Sequence, residues 1–428
     1  MTKPTINPTD PVFISYRQSD GTDITAELAW LLRAAGIPVW RDRDDLPPGD
    51  TEERLGQAIA DGLSGGVLVV TPEVDQSEIV RHVEAPRLLE LHREHPPFAL
   101  GITNAIKDPA GSLDYKTPDR LLSQRPGTLS GVDQQSADRN GLVALVKKIL
   151  WHRIAHQRSA IAASGSTMTL TIQTRNAPQV YDRTGSDLDI RLRPSSHERL
   201  PSSQGLRDLA DVIALLPDAV TRSGADRVHI KGGAHLSAAF TLGASLPSTR
   251  VGHLEVVDQQ GQVWAGASAA AARRADHLAA HAERANPSTI RAGRPAVALY
   301  IDLLPQRSDA AFEVFLEEHG ASLAAWRHVT STTSAPLNPT TAGALASEAA
   351  DHIREVSNRH ANAEVHLLLR CPFPMAVLIG RLTNTLRIVT YEWDDSAPST
   401  GNDYRPRYVP ALRVRTSATS GVIQEVLL

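Results

Sequence analysis

Residues 228–258, "VHIKGGAHLSAAFTLGASLPSTRVGHLEVVD", align without a gap on residues 365–395, "VHLLLRCPFPMAVLIGRLTNTLRIVTYEWDD", each position lying 137 ahead of its partner. Val228/Val365, His229/His366, Ala239/Ala376, Gly243/Gly380, Arg250/Arg387, Glu255/Glu392 and Asp258/Asp395 are identical, and the apolar pattern agrees between them. Self-similarity at a fixed offset predicts two copies of one unit, here strand, loop, helix, strand. Between the copies, the alanine-rich "AGASAAAARRADHLAAHAERANP" (265–287) predicts a helix and "AVALYIDLL" (296–304) a buried strand.

The first 158 residues follow a different pattern. Short apolar runs, "VFISY" (12–16), "IPVW" (37–40), "GVLVVT" (66–71) and "FALGIT" (98–103), alternate with amphipathic segments such as 24–36 and 51–62. That alternation predicts an α/β domain with a parallel sheet covered by helices on both faces. Leu142, Val143, Val146, Ile149, Leu150 and Ile154 predict a last amphipathic helix, and the small, unpatterned "SAIAASGST" (159–167) follows it. The domain boundary is placed there, giving domains 1–158 and 159–428.

Composition removes several function classes. With 48 acidic against 44 basic residues in 428, the formal charge is −4, so no global basic field points to duplex nucleic acid, although a local anion site remains possible. The single Cys371 rules out an intrachain disulfide framework and a cysteine-rich zinc site, which suits a reducing cytosol. "MTKPTINPTD" has no apolar signal core, and no run of about 18 apolar residues follows, so a cytoplasmic protein that does not cross a membrane is expected. "HREH" (92–95) has metal-like letters, but no further ligand cluster accompanies it and Pro96-Pro97 follow, so no metal is expected there. No G-x-S-x-G elbow and no Walker A run occurs, and a serine hydrolase or P-loop ATPase would lack its central parts.

One segment carries a misplaced charge. On a 100° wheel "SEIVRHVEAPRLL" (77–89) puts Ile79, Val80, Val83 and Leu88 on one arc, and Glu84 falls inside it. Ser77 is placed to cap the helix, while Pro86 should kink or restart it just after Glu84. An ion pair with Arg81 or Arg87 is the plain reading of that carboxylate. The alternative is chemical, because in doubly wound sheets ligands collect at the carboxyl ends of the strands. "SYRQSD" (15–20), "RDRDDLPPGD" (41–50) and "TPEVDQS" (71–77) lie at those ends. Arg17 suits nucleotide phosphates and a surface ion pair equally, and Phe13 and Trp40 suit a core. In the charged loop, Pro47-Pro48-Gly49 sets a bend, with Asp50 or Thr51 capping the next helix.

Taken together, "VFISYR", "GIPVWRDRDDLPPGD" and "SEIVRHVE" resemble three motifs of a TIR domain, in order, over residues 10–158. The resemblance implies a flavodoxin-like doubly wound sheet and cleavage of NAD+, as substrate, at the nicotinamide glycosidic bond. No cofactor is implied. It implies Glu84 as the catalytic carboxylate, with Phe13, Ser15, Arg17, Trp40 and Ser77 around the substrate. Asp45 and Leu46, at the tip of the charged loop, would pack against a neighbouring copy. Val80 stands where many catalytic relatives have an aromatic residue, so substrate stacking would come from elsewhere.

In the repeat, Lys231-Gly232-Gly233 follow a strand and precede a helix, and Arg370 lies one or two positions from the Lys231 slot of the second copy. Glycines allow close backbone approach, and a basic side chain with a helix N-terminus attracts phosphate. With "VYDRTGSDLDIRLRP" (180–194), the two copies resemble a SAVED domain, a fusion of two CARF-like Rossmann-type halves, over 165–428. That resemblance implies a cyclic oligonucleotide ligand, expected to be a trinucleotide. Its phosphates would meet Lys231, Arg370 and helix N-termini, its bases would stack on Phe373, Tyr391 or Trp393, and Gly232, Gly233, His235 and Pro372 would line the site. A TIR domain beside a SAVED domain implies an antiphage effector of cyclic-oligonucleotide signalling (CBASS), in which the messenger drives self-association into oligomers or filaments and thereby NAD+ cleavage. A non-catalytic TIR scaffold and a stand-alone metabolic nucleosidase are the competing expectations.

Overall fold

The computed structural model describes residues 6–40, 51–175, 185–196, 198–266, 277–285, 295–396, 405–418 and 421–428. The chain divides into two compact units, one of residues 1–171, 177–191 and 218–225, the other of residues 172–176, 192–217 and 226–428.

In the first unit the elements run β1 (Val12–Ser15), α1 (Gln18–Ala34), β2 (Val39–Trp40), α2 (Thr51–Asp61), β3 (Gly65–Val70), a π-helical turn (Val80–Glu84), α3 (Ala85–Glu94), β4 (Ala99–Asn104), α4 (Thr117–Leu121), β5 (Asp133–Ser136) and α5 (Arg139–Ala163). The five strands are parallel in the order β2-β1-β3-β4-β5, the flavodoxin-like arrangement expected from the sequence. β1, β3 and β4 are buried along their whole length, which is why they read as apolar runs rather than alternating ones. β5, "DQQS", gave no such signal: it is an edge strand and only Gln134 is buried in it. α5 continues through Ser159–Ala163, where small residues had suggested a linker, and Arg153 on it is buried, donating to the carbonyls of Asp10 (2.8 Å) and Thr9 (2.6 Å). β6 (Thr167–Gln173) follows, and the division between the units falls within it; β7 (Leu188–Arg191) lies in the first unit, where the Asp189 N–H donates to the Gly36 carbonyl at 2.9 Å.

The later elements are α6 (Ser203–Val212), α7 (Leu216–Ser223), β8 (Arg227–Gly233), α8 (Leu236–Ser245), β9 (His253–Val257), β10 (Val263–Ala265), β11 (Leu278–Ala280), β12 (Arg284–Ala285), β13 (Ala296–Asp302), α9 (Ala310–His319), β14 (Ala325–Ser331), α10 (Ala342–Arg359), β15 (Glu364–Arg370), α11 (Phe373–Gly380), β16 (Ile388–Asp394), β17 (Arg407–Val414) and β18 (Ile423–Val426). Both copies of the repeat fold as expected, as β8-α8-β9 and β15-α11-β16, and α8 and α11 begin at equivalent positions. In the second unit β10-β9-β8, with the end of β6 beyond β8, matches β17-β16-β15-β13 in strand order. The likeness therefore extends past the aligned residues. The alanine-rich segment differs from expectation: within 277–285 the chain forms β11 and β12, paired antiparallel to β14, while 267–276 lie outside the described residues. Edge pairing outweighs helix propensity there, helped by the Glu348 carboxylate, which accepts from the N–H groups of His277 and Leu278 at 3.0 Å each.

The two copies meet at their helices. A Cβ on Gly243 of α8 would lie 1.9 Å from the Val377 carbonyl oxygen of α11, and one on Gly380 of α11 would lie 2.1 Å from the Phe240 carbonyl oxygen of α8. Val377 is the equivalent of Phe240 and Gly380 that of Gly243, so the contact is reciprocal, as a two-fold relation requires. Gly243→Ala and Gly380→Ala are each expected to lower the stability of this unit by about 3 kcal/mol, because the obstruction is main chain and cannot rotate away. Gly56→Ala on α2, where a Cβ meets nothing within 4 Å, should instead add about 0.5–1 kcal/mol. Urea unfolding of the three variants checks both signs.

Candidate functional site

In a 2-1-3-4-5 sheet the strand order reverses between β1 and β3, and the crevice above their carboxyl ends is the natural ligand position. Ser15 ends β1, and its hydroxyl donates to Glu84 Oε2 at 2.6 Å; both residues are buried. The π-turn delivers Glu84 there. The Val80 N–H donates to Ser77 Oγ at 3.4 Å and the Arg81 N–H to the Ser77 carbonyl at 3.1 Å, so Ser77 does cap this entry. Pro86, without an N–H, sits in the first turn of α3, and the wider turn just before it absorbs the missing donor. The extra residue of that turn also rotates the face predicted at 100° per residue. Val80, Glu84, Ala85 and Leu88 are buried, whereas Ile79 and Val83 are only half-buried.

The arginines nearest Glu84 in sequence have other partners. Arg81 donates to Ser123 Oγ (2.9 Å), the Asp75 carbonyl (2.9 Å) and Glu78 (3.1 Å), and Arg87 pairs with Glu90. Arg17 pairs with Glu73 at 2.9 Å and Asp20 at 3.3 Å and donates to Gln76 at 2.8 Å. Phe13 and Trp40 face each other across β1 and β2 and belong to the apolar core. Asp45 and Leu46 lie outside the described residues. Among the described residues no group of three or more His, Cys, Asp or Glu side chains is placed to hold a metal, and His92 of "HREH" bonds the Phe98 carbonyl at 3.0 Å.

In the second unit Lys231, Gly232 and Gly233 are the last residues of β8 rather than a loop after it, and Lys231 is exposed. Gly232 has φ +109°, and a Cβ on it would lie 2.2 Å from the Ile172 carbonyl oxygen, so the close approach its glycine permits is that of β6. His235 caps α8 and is buried, with Nδ1 2.8 Å from Thr174 Oγ1 and Nε2 3.2 Å from the Glu198 carbonyl. Burial lowers its pKa to about 4, so the ring is neutral at neutral pH. The first turn of α8 already holds an anion: Glu392 Oε1 of β16, buried, accepts the Ser237 N–H at 2.7 Å. Burial pushes the Glu392 carboxyl up to about 7, against the opposing pull of the Ser237 hydroxyl, of the Ser237 and Leu236 N–H groups and of Arg175. Its repeat partner Glu255 is half-buried between His253 (2.7 Å) and His229 (3.5 Å), and those contacts lower its pKa.

In the larger sheet the reversal falls between β13 and β15. Asp302 and Arg370 end these strands opposite each other and form an ion pair at 2.9 Å. Asp302 also accepts the N–H groups of Leu304 and Ser308, each at 3.2 Å, and Arg370 donates to the Gln306 carbonyl. Arg370 is thus tied to the loop after β13 while staying partly exposed. Pro372 caps α11 and Pro374 removes one of its first N–H groups, so this helix start offers phosphate fewer donors than α8 does. Phe373 is half-buried; Tyr391 is buried and bonded through its hydroxyl to His366 Nδ1 at 2.6 Å. Trp393 is exposed, with the Arg199 guanidinium 5.6 Å from its ring centre and Arg199 paired to Asp395 at 2.8 Å. Sequence reasoning passed over Arg175, Arg199 and Glu392 in this site. The identity of Glu255 and Glu392 in the repeat was the available signal for the last; β6, whose alternating "TMTLTIQ" leads to Arg175, was the signal for the first.

Comparison with known proteins agrees with both halves. A TIR domain profile matches residues 12–100, and the profile of the SMODS-associated and fused to various effectors sensor domain, SAVED, matches residues 210–414. The chain carries a TIR domain followed by a SAVED domain. Among solved structures, the Acinetobacter baumannii Cap4 SAVED/CARF-domain containing receptor with the cyclic trinucleotide 2'3'3'-cAAA matches 94% of this chain and 99% of its own, at 13% identity and a TM-score of 0.46. The Moraxella osloensis Cap4 receptor matches 91% and 97%, at 14% identity and a TM-score of 0.40. No curated protein matches the chain significantly. No helix among the described residues is long and apolar enough to cross a membrane.

The Glu392 carboxyl makes stability depend on pH. Its native pKa is raised from 4.5 to about 7, so the folded state keeps a proton that the unfolded state releases. That contribution is complete below about pH 4.5 and is lost as pH rises toward 7. Between pH 5 and 8 the second unit is expected to lose on the order of 2 kcal/mol from this group, and Glu392→Gln should flatten the profile. Urea midpoints at half-unit pH steps measure the difference.

Proposed function

We propose that the first unit cleaves NAD+ at the nicotinamide glycosidic bond, that the second unit senses a cyclic oligonucleotide, and that messenger binding switches cleavage on by assembling copies of the chain, as in a CBASS-type effector. The observation that carries this reading is the buried Glu84 carboxylate, held by Ser15 at the reversal point of a TIR-domain sheet. Nicotinamide departs from a pyridinium cation as a neutral molecule, so the site needs no acid for its leaving group. It must stabilise an oxocarbenium-like ribosyl cation, and a desolvated carboxylate does so more strongly than one in water. Water, or a nucleophile within the substrate, then attacks the anomeric carbon to give linear or cyclic ADP-ribose. Ser15 holds the Glu84 carboxylate in one orientation, and Phe13 and Trp40 support the strands beneath it.

The sensor half of the proposal rests on the SAVED match and on the two repeated helix-strand units. Lys231, Arg370 and Trp393 offer it two cations and an exposed ring at strand ends. A cyclic trinucleotide is the expected ligand. Assembly through Asp45 and Leu46 would be heterologous, since the loop and the surface receiving it are different patches, and such contacts propagate unless their rotation closes a ring.

Purified protein mixed with NAD+ and a panel of cyclic di-, tri- and tetranucleotides is expected to release nicotinamide with at least one messenger. Glu84→Gln should reduce that release by at least about 100-fold while leaving folding and messenger binding intact. NAD+ left untouched while the messenger still drives assembly would establish a scaffold instead. Lys231→Glu, at an exposed position, should weaken messenger binding by about tenfold or more in calorimetry. Asp45→Ala with Leu46→Ala should retain messenger binding, show no growth by light scattering and release no nicotinamide. Full activity of a monomer at nanomolar concentration would overturn the assembly requirement.

A further inference from the structure

The α8 N-terminus and the Glu392 carboxylate have a consequence for ligand binding that rests on the messenger reading given above. Phosphate recognition at a strand-loop-helix turn ordinarily uses the free N–H groups of the helix start. Here Glu392 takes the Ser237 N–H from inside the protein, and the Ser237 hydroxyl, buried beside it, pulls on the same carboxylate. Arg175, exposed at the end of β6, acts electrostatically on both Glu392 and the neighbouring His235. Those are the charged and titratable groups facing Glu392 from α8 and β6. On its own strand Asp394 is engaged by Arg407 and Ser396, and opposite it β17 presents Val409.

We propose that Glu392 occupies the anion seat of α8 in the ligand-free protein and takes up a proton from solvent when a messenger phosphate arrives beside Arg175, so that binding is coupled to proton uptake. Two anions sharing one arginine and one helix start repel each other. The phosphodiester cannot be protonated at any ordinary pH, so the proton goes to the carboxyl oxygen of Glu392. Burial already holds that carboxyl near neutrality, and a small push suffices to change its charge. Uptake is a fraction of a proton per ligand, and affinity rises as pH falls, by at most about tenfold per pH unit for one proton. His235, whose burial keeps it neutral throughout this range, does not contribute.

The test is calorimetry at pH 7 with cyclic tri-adenylate as the first probe and cyclic di- and tetranucleotides as the others, in two buffers of very different ionisation enthalpy. The binding heat of the parent protein should differ between buffers by the proton uptake multiplied by the difference in their ionisation enthalpies. Glu392→Gln should bind with the same heat in both. Arg175→Ala, at an exposed position, removes the charge that holds the Glu392 pKa down and should move the pH of greatest uptake upward. Binding by the parent with no buffer dependence, or a dependence that persists in Glu392→Gln, overturns the coupling and leaves the sensor reading standing. No binding by any member of the panel overturns both.

Discussion

The reciprocal contact of Gly243 with the Val377 carbonyl and of Gly380 with the Phe240 carbonyl sets the geometry of the sensor unit, because it brings two helices to backbone distance. Any side chain at either glycine would occupy the space of a main-chain oxygen. α8 and α11 are buried almost all round, so the pair serves as the unit's core as well as its symmetry element. Arg381, one residue past α11, closes the join from the other side by donating to the carbonyls of Val251 and Gly252, a buried position that lowers its pKa to about 10. With the helices fixed, the strands that follow them are fixed too, which is how Glu392 of β16 reaches the first turn of α8.

Three of the buried carboxylates, Asp302, Glu392 and Glu84, are each held differently. Asp302 has a full counter-charge in Arg370 and two backbone donors, so its charge is compensated where it stands. Glu392 has backbone N–H groups and a more distant arginine, and its burial wins over them. Glu84 sits on a π-turn with a serine hydroxyl donating to it. A buried carboxylate without full compensation is costly to keep, so its retention asks for a role that a hydrocarbon of the same size would not fill. Asp302 is explained by the loop it orders, whereas Glu392 is the one of the three that burial raises to about 7.

Pattern reading recovered the parallel sheet of the first unit because β1, β3 and β4 are covered on both faces and so appear as unbroken apolar runs. It missed β5 because an edge strand with polar residues has no pattern to read, and it made a helix of 277–285 because alanine content outweighed a pairing partner 50 residues away. The arc containing Glu84 was legible, but its neighbours were assigned by a periodicity that the π-turn does not keep. Gly232 reads as a ligand-approach residue in the sequence, yet the backbone it admits is that of β6.

What the sequence by itself determined is the repeat, the alternating layers of the first domain, and the identity of a carboxylate at an apolar helical position beside a proline. Each of these is local, or is a comparison of one stretch with another. Only the tertiary structure decided which donors meet those carboxylates, because Ser15 is 69 residues from Glu84 and Ser237 is 155 residues from Glu392. The aligned pair Glu255 and Glu392 differ in the same way: one lies half-exposed between His253 and His229, the first of which is Thr390 in the second copy, and the other is buried on a helix start. Charge state follows burial and partners, and both are properties of what the chain brings together rather than of the residue it encodes.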